Sequence, residues 1–132
     1  MVIICTGSRR FSDYGVIERE LLSALRMGTR NDQVPTIVHG ACPTGADAIV
    51  DRMAHALGAR VETFPAKWDE EGLAAGPNRN RVMVQSALSW AGRPGNVVCL
   101  AFWDGLSKGT LNCIQNCLKE GIHVEVYPGR MR

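Results

Sequence analysis

No apolar run in this chain of 132 residues approaches the ~20 residues that a membrane-spanning helix needs. The opening "MVIICTGSRR" places no basic residue before its apolar run, and that run is too brief for a secretory signal. Neither sign of charge dominates. Fifteen Lys and Arg face 13 Asp and Glu, and a net charge of +2 does not by itself argue for a nucleic-acid partner. The five cysteines (Cys5, Cys42, Cys99, Cys113 and Cys117) are odd in number and lack the spacing of zinc ligands. They read as reduced thiols of a cytoplasmic protein, not as a disulfide frame. Cys113 and Cys117, one helical turn apart, read as packing, so no metal site is expected, and no cofactor either. Lys108 follows Ser107, but the "GxxxxGK[ST]" of a P-loop is missing. With no internal repeat, low-complexity tract or linker, residues 1–132 read as one domain.

What is present is alternation. "VIICTG" is a short apolar run ending in Gly7 and reads as a buried strand. From Asp13 to Met27 the residues Ile17, Leu21, Ala24 and Leu25 recur at helical spacing, with Ser12 as N-cap and Gly28 as stop. "GTRNDQVP" reads as a polar loop and "TIVHG" as a second strand. Ala46, Ile49, Val50, Met53, Ala54 and Leu57 form a helical stripe closed by Gly58. "RVETFP" is a third strand, and "AKWDEEGLAAGPN" a long loop. A third helix is expected from about Arg79 to Ala91, with Met83, Val84, Ala87 and Leu88 inward. "NVVCLAFW" is a fourth strand. "LSKGTLNCIQNCLKEG" is a fourth helix, expected to bury Leu111, Ile114, Cys117 and Leu118, and "HVEVYP" is a fifth strand. Strands this apolar, alternating with helices, predict an α/β fold: about five parallel strands with helices on both faces, Rossmann-like, the first strand central.

Ligands of such sheets bind beyond the carboxyl ends of the strands, so the residues following each strand carry the functional information. They are "TGSRRFSD", "HGACPTGAD", "AGPNRN" and "WDGLSKGT". Glycine lets backbone come close to a ligand, and helix N-terminal amides favour an anion. Four such loops on one edge predict a phosphate cradle. Arg9 and Arg79 can hold phosphate bidentately; Ser8, Ser107 and Thr110 can donate hydroxyls. Trp68 and Trp103 are either base platforms or packing. Asp47 is either a ribose contact or an acid favoured by its helix N-terminus. Asn78 reads as a helix cap. His39 with Cys42 has the composition of a thiolate pair, set against a strand-end histidine and a loop cysteine.

Taken in order, "GSRRF", "HGACPTGAD", "AGPNRNRVMV" and "AFWDGLSKGT" resemble the successive signatures of the YspA-like branch of the SLOG superfamily. That superfamily also holds the LOG phosphoribohydrolases, the DprA proteins and the YpsA proteins. The resemblance implies a nucleotide-binding fold. By matching motif positions, it points to Gly7, Ser8 and Arg9, then to Gly40, Gly45, Ala46 and Asp47. In the later loops it points to Gly76, Pro77, Arg79 and Asn80, then to Gly105, Ser107, Gly109 and Thr110. It also implies a homodimer or higher homo-oligomer. The chain departs from the LOG pattern "PGGxGTxxE" at the glutamate that acts on the ribose: Cys113 stands there. A thiol cannot replace a carboxylate that stabilises an oxocarbenium ion.

Three functions follow as expectations. The first is a module that binds a nucleotide or a NAD- or ADP-ribose-like derivative, as a sensor or sequestering protein in a bacterial or phage-infected cell. The second is a hydrolase cleaving a glycosidic or phosphate bond of such a ligand, with Asp47 or Asp104 as acid or electrostatic stabiliser. The third is a DprA-like accessory of single-stranded DNA, which the modest charge and missing basic groove disfavour.

Overall fold

The computed structural model describes residues 1–30 and 34–132. Its strands are β1 (Val2–Gly7), β2 (Thr36–His39), β3 (Arg60–Thr63), β4 (Val97–Phe102) and β5 (His123–Tyr127). Its helices are α1 (Tyr14–Arg30), α2 (Ala46–Ala56), α3 (Trp68–Glu71), α4 (Ala75–Ala91) and α5 (Lys108–Lys119), with 3-10 turns at Gly72–Ala74 and Pro94–Asn96. All strand pairings are parallel, in the order β3-β2-β1-β4-β5. The first strand is central, as expected.

The pleat of β1 divides the core. Ile3 and Cys5 pack with Ile17 and Leu21 of α1 and with Ile49 and Val50 of α2. Val2 and Ile4 pack on the other face with Met83, Val84 and Ala87 of α4 and with Cys113 and Cys117 of α5. A strand covered on both faces needs no polar alternation, which is why "VIICTG" is apolar throughout. Each fully buried Ile or Leu contributes up to about 1.5–3 kcal/mol.

Several local expectations are corrected. β3 is exposed at Arg60, Glu62 and Thr63, because it is an edge strand, and charges there discourage pairing with another chain. Asp13, not Ser12, caps α1: the Val16 amide donates to Asp13 Oδ1 at 3.3 Å, while Ser12 donates its hydroxyl to the Arg130 carbonyl. Gly28 does not stop α1; it packs under Pro35. The loop expected over 28–35 falls at 31–33 outside the described residues. Helix α4 begins at Ala75, ahead of the expected Arg79. Pro77 sits in its first turn, where a missing amide hydrogen costs nothing. Asn78 therefore caps no helix, and donates instead to Glu71 Oε2 at 3.2 Å. Helix α5 is rotated from expectation. It buries Thr110, Cys113, Ile114 and Cys117, and leaves Leu111 37% and Leu118 59% exposed.

Candidate ligand-binding site

β1 leads through α1 to β2 on one side, while β4 lies on its other side, so the loops leaving β1 and β4 diverge. The crevice this creates is the topological switch point of the sheet. A cavity of about 540 Å³ occupies it, within the range of small-molecule sites. It is lined from all four expected loops: Gly7, Ser8 and Arg9; Gly40 and Asp47; Gly76, Pro77, Arg79 and Asn80; Asp104, Ser107, Gly109 and Thr110. Trp68 lines it too. Gly45, Ala46, Gly105 and Trp103 do not. Arg10, Lys108 and Asn112 line it too, none of them among the expected ligand contacts. Lys108 was legible as the first helical residue after Ser107, but was weighed only as a P-loop lysine.

Arg79 is committed inward. Its Nε donates to Asn80 Oδ1 at 2.8 Å, and its Nη1 donates to the carbonyls of Gly40 and Phe64. One side chain thereby ties α4 to the segments that leave β2 and β3, and Nη2 has no partner among the described residues. Gly40 is glycine because the guanidinium crosses it: a Cβ there would lie 2.7 Å from Arg79 Cζ. Asn80, 3% exposed, continues the tie by donating to Gly109 O at 3.1 Å and to Asn112 Oδ1 at 3.0 Å.

The loop after β4 is held by its own turn chemistry. Asp104 Oδ1 accepts the amides of Leu106 at 2.8 Å and Ser107 at 2.7 Å. Those bonds hold its carboxyl below the ordinary aspartate value, so it is an ionised turn-former. Ser107 caps α5, with its Oγ accepting from the Thr110 amide and hydroxyl. Ser8, 1% exposed, accepts the Asp104 amide at 3.0 Å and so joins the first and fourth loops.

Arg9 is exposed, with its guanidinium 5.7 Å from the Trp68 ring centroid. Trp68 lies over Gly76, where a Cβ would be 3.2 Å from the ring. This tryptophan thus already has neighbours in Arg9 and Gly76, though it remains 46% exposed. Trp103 is turned away, with its Nε1 donating to the Ser107 carbonyl at 3.0 Å.

Asp47 is the buried acid of the cleft, 5% exposed in the first turn of α2. It accepts the Cys42 amide at 3.2 Å. Burial pushes its carboxyl up, against the opposing influence of His39, the Cys42 amide and Arg79. The Cys42 thiol is pushed up as well, by burial and then by Asp47, so it is not an activated thiolate. His39 does not pair with it. The Ala41 amide donates to His39 Nδ1 at 3.0 Å, which places the ring proton on Nε2, facing Asp51 Oδ1 at 2.8 Å.

Asp47→Asn is expected to stabilise the ligand-free protein by about 1 kcal/mol at pH 7–8, since an imperfectly paired buried charge is removed. The sign follows from the raised carboxyl. Below the ordinary value of 3.8 the group is protonated both folded and unfolded, so the gain vanishes there. It grows as pH rises from there to the raised native value and is constant above it. Urea unfolding of both proteins at pH 4 and pH 8 checks this; an equal difference at both pH values contradicts it.

The model of the YspA, cpYpsA-related SLOG family matches residues 1–70 of this chain. The "Gene 61 protein" of Mycobacterium phage D29 is 36% identical over 129 residues, covering 92% of each chain. No solved structure matches. No helix among the described residues is long and apolar enough to cross a membrane.

Proposed function

The chain belongs to the YspA, cpYpsA-related SLOG family, and from that premise we propose that its cleft binds a nucleotide or nucleotide-derived ligand of the ADP-ribose or nucleoside-phosphate kind, as a sensor or sequestering module. One observation carries this reading. The cavity at the switch point is lined by Arg9, Arg10, Arg79 and Lys108 against the two carboxylates Asp47 and Asp104, and the first residues of α4 and α5 open into it. An excess of cations beside helix N-termini suits phosphate. Arg9 and Lys108 meet the phosphates, and Asp47 accepts from ribose hydroxyls.

Calorimetry with ADP-ribose, NAD, AMP and inorganic phosphate tests it. At least one nucleotide is expected to bind with an affinity that falls as salt rises. Arg9→Ala is expected to weaken that binding about tenfold, the low end for a hydrogen bond to a charged group. The melting temperature should stay put, because Arg9 is exposed. Wild-type affinity in Arg9→Ala would remove the phosphate assignment.

Asp47 supports a second reading, a hydrolase of the same ligand. A carboxyl that burial makes hold its proton more tightly is suited to general acid work, whereas Asp104 is held ionised. Mass spectrometry of a nucleotide incubated with the protein decides. New products that disappear in Asp47→Asn favour the hydrolase; stoichiometric binding without products favours the sensor.

A further inference from the structure

Below the floor of the cleft lies a cluster that nucleotide binding does not use. The Sγ atoms of Cys99 on β4 and of Cys113 and Cys117 on α5 all lie within 4.8 Å of one another, and each residue is fully buried. Helix α5 is turned so that these thiols face inward while Leu111 and Leu118 remain exposed. Apolar packing by itself would turn the helix about a quarter turn further to bury them, since a leucine buries more area than a cysteine. The three sulfurs come from two elements, β4 and consecutive turns of α5, and the β4–α5 packing holds them together.

We propose that Cys99, Cys113 and Cys117 form a binding site for a single thiophilic d10 cation, three-coordinate in sulfur, of the Cu(I) type. Three sulfurs about 2.3 Å from one ion stand about 4.0 Å apart, so the trio needs to close by less than about 1 Å. All-sulfur donation selects soft cations. Among the described residues no fourth His, Cys or carboxylate joins the trio, which separates it from structural zinc sites, which are four-coordinate.

On β1, the side chain of Thr6 lies within reach of the Cys113 thiol. Each thiol that ligates gives its proton to solvent, so affinity rises with pH. Thr6 also lines the cleft, as does Met83, whose thioether belongs to the same core cluster as the three cysteines. They mark the way in from the cleft floor. Cys42, partly exposed at the rim, is the competing thiol and therefore the control.

The test is an anaerobic titration of the fully reduced protein with Cu(I), buffered by a chromogenic chelator. One ion per chain is expected, bound more tightly at pH 8 than at pH 6. Affinity should be unchanged in Cys42→Ser. In Cys113→Ala it should fall by more than the about 10–100-fold typical of losing an outer-sphere partner. X-ray absorption of the wild-type complex, which does not depend on any variant folding, is expected to show three sulfur neighbours. No binding by the wild type, loss in Cys42→Ser with retention in Cys113→Ala, or a first shell of two sulfurs or of nitrogen and oxygen would each overturn the site.

Discussion

Arg79→Met is expected to lower the melting temperature by roughly 10 °C and to abolish nucleotide-dependent stabilisation in the same protein. The first effect follows from geometry. The guanidinium donates to Asn80 Oδ1 and to the carbonyls of Gly40 and Phe64, and methionine fills the stem volume without replacing any of these donors. Hydrogen bonds from a charged group contribute about 1.5–3 kcal/mol each when well enclosed. Discounting for partial exposure, a total near 3 kcal/mol corresponds to the stated shift for a domain of this size. The second effect follows because the carbonyls that Arg79 gathers belong to the segments leaving β2 and β3, which shape one wall of the cleft. Arg79→Lys should recover little, since one ammonium cannot span acceptors arranged for a planar fork. Equilibrium urea unfolding reads the first effect and calorimetry the second. Stability within about 0.5 kcal/mol of wild type, the scatter of ordinary surface substitutions, would show that the clamp carries no load.

This arginine also shows where sequence reading works and where it stops. "AGPNRN" marked residues near the sheet edge, and Arg79 does line the cleft. A one-dimensional pattern does not say what a side chain's hydrogen bonds are spent on. Arg79 and Asn80 look like ligand donors, and Ser107 and Thr110 look like hydroxyl donors, yet all four are engaged in tying loops and helix ends together. Trp103 shows the same limit: its indole is directed at the Ser107 carbonyl by loop geometry that no local signal contains.

The sheet was more legible, for a physical reason. Strands covered on both faces have to be apolar throughout, and "VIICTG" and "NVVCLAFW" record that directly. The order of the strands follows from alternation with helices and from the handedness of crossovers. Helix α5 was misread in part, because periodicity detects a stripe but ranks its residues by hydrophobicity: Ile114 and Cys117 do face inward, but Leu111 and Leu118 outweighed the smaller Thr110 and Cys113. The small residues are the ones that let α5 approach β4 and α4 closely. The start of α4 was misread because Gly-Pro is a common turn signal, whereas a first helical turn also accepts proline.

Gly45→Ala is expected to cost at least about 3 kcal/mol and to remove ligand binding, even though Gly45 does not line the cleft. Its backbone has φ 76° and ψ −149°, a region that side-chain-bearing residues enter at a cost of about 1–3 kcal/mol. A Cβ there would also stand 2.6 Å from Arg9 Cα, where the first loop passes across the start of α2. The Ala46 amide donates to the Ser8 carbonyl at 3.3 Å, so the loop cannot withdraw without losing that bond. The added methyl must therefore push Ser8 and Arg9 outward. Ser8 joins the first loop to the fourth through the Asp104 amide, so the displacement reaches both sides of the switch point. Gly58→Ala separates the two contributions. Gly58 shares a positive φ, of 70°, but a Cβ on it meets nothing within 4 Å. Its substitution should cost only the backbone strain, about 1–2 kcal/mol, and leave ligand affinity unchanged. Measured side by side by urea unfolding and calorimetry, equal losses in the two variants would mean that contact with the first loop contributes nothing.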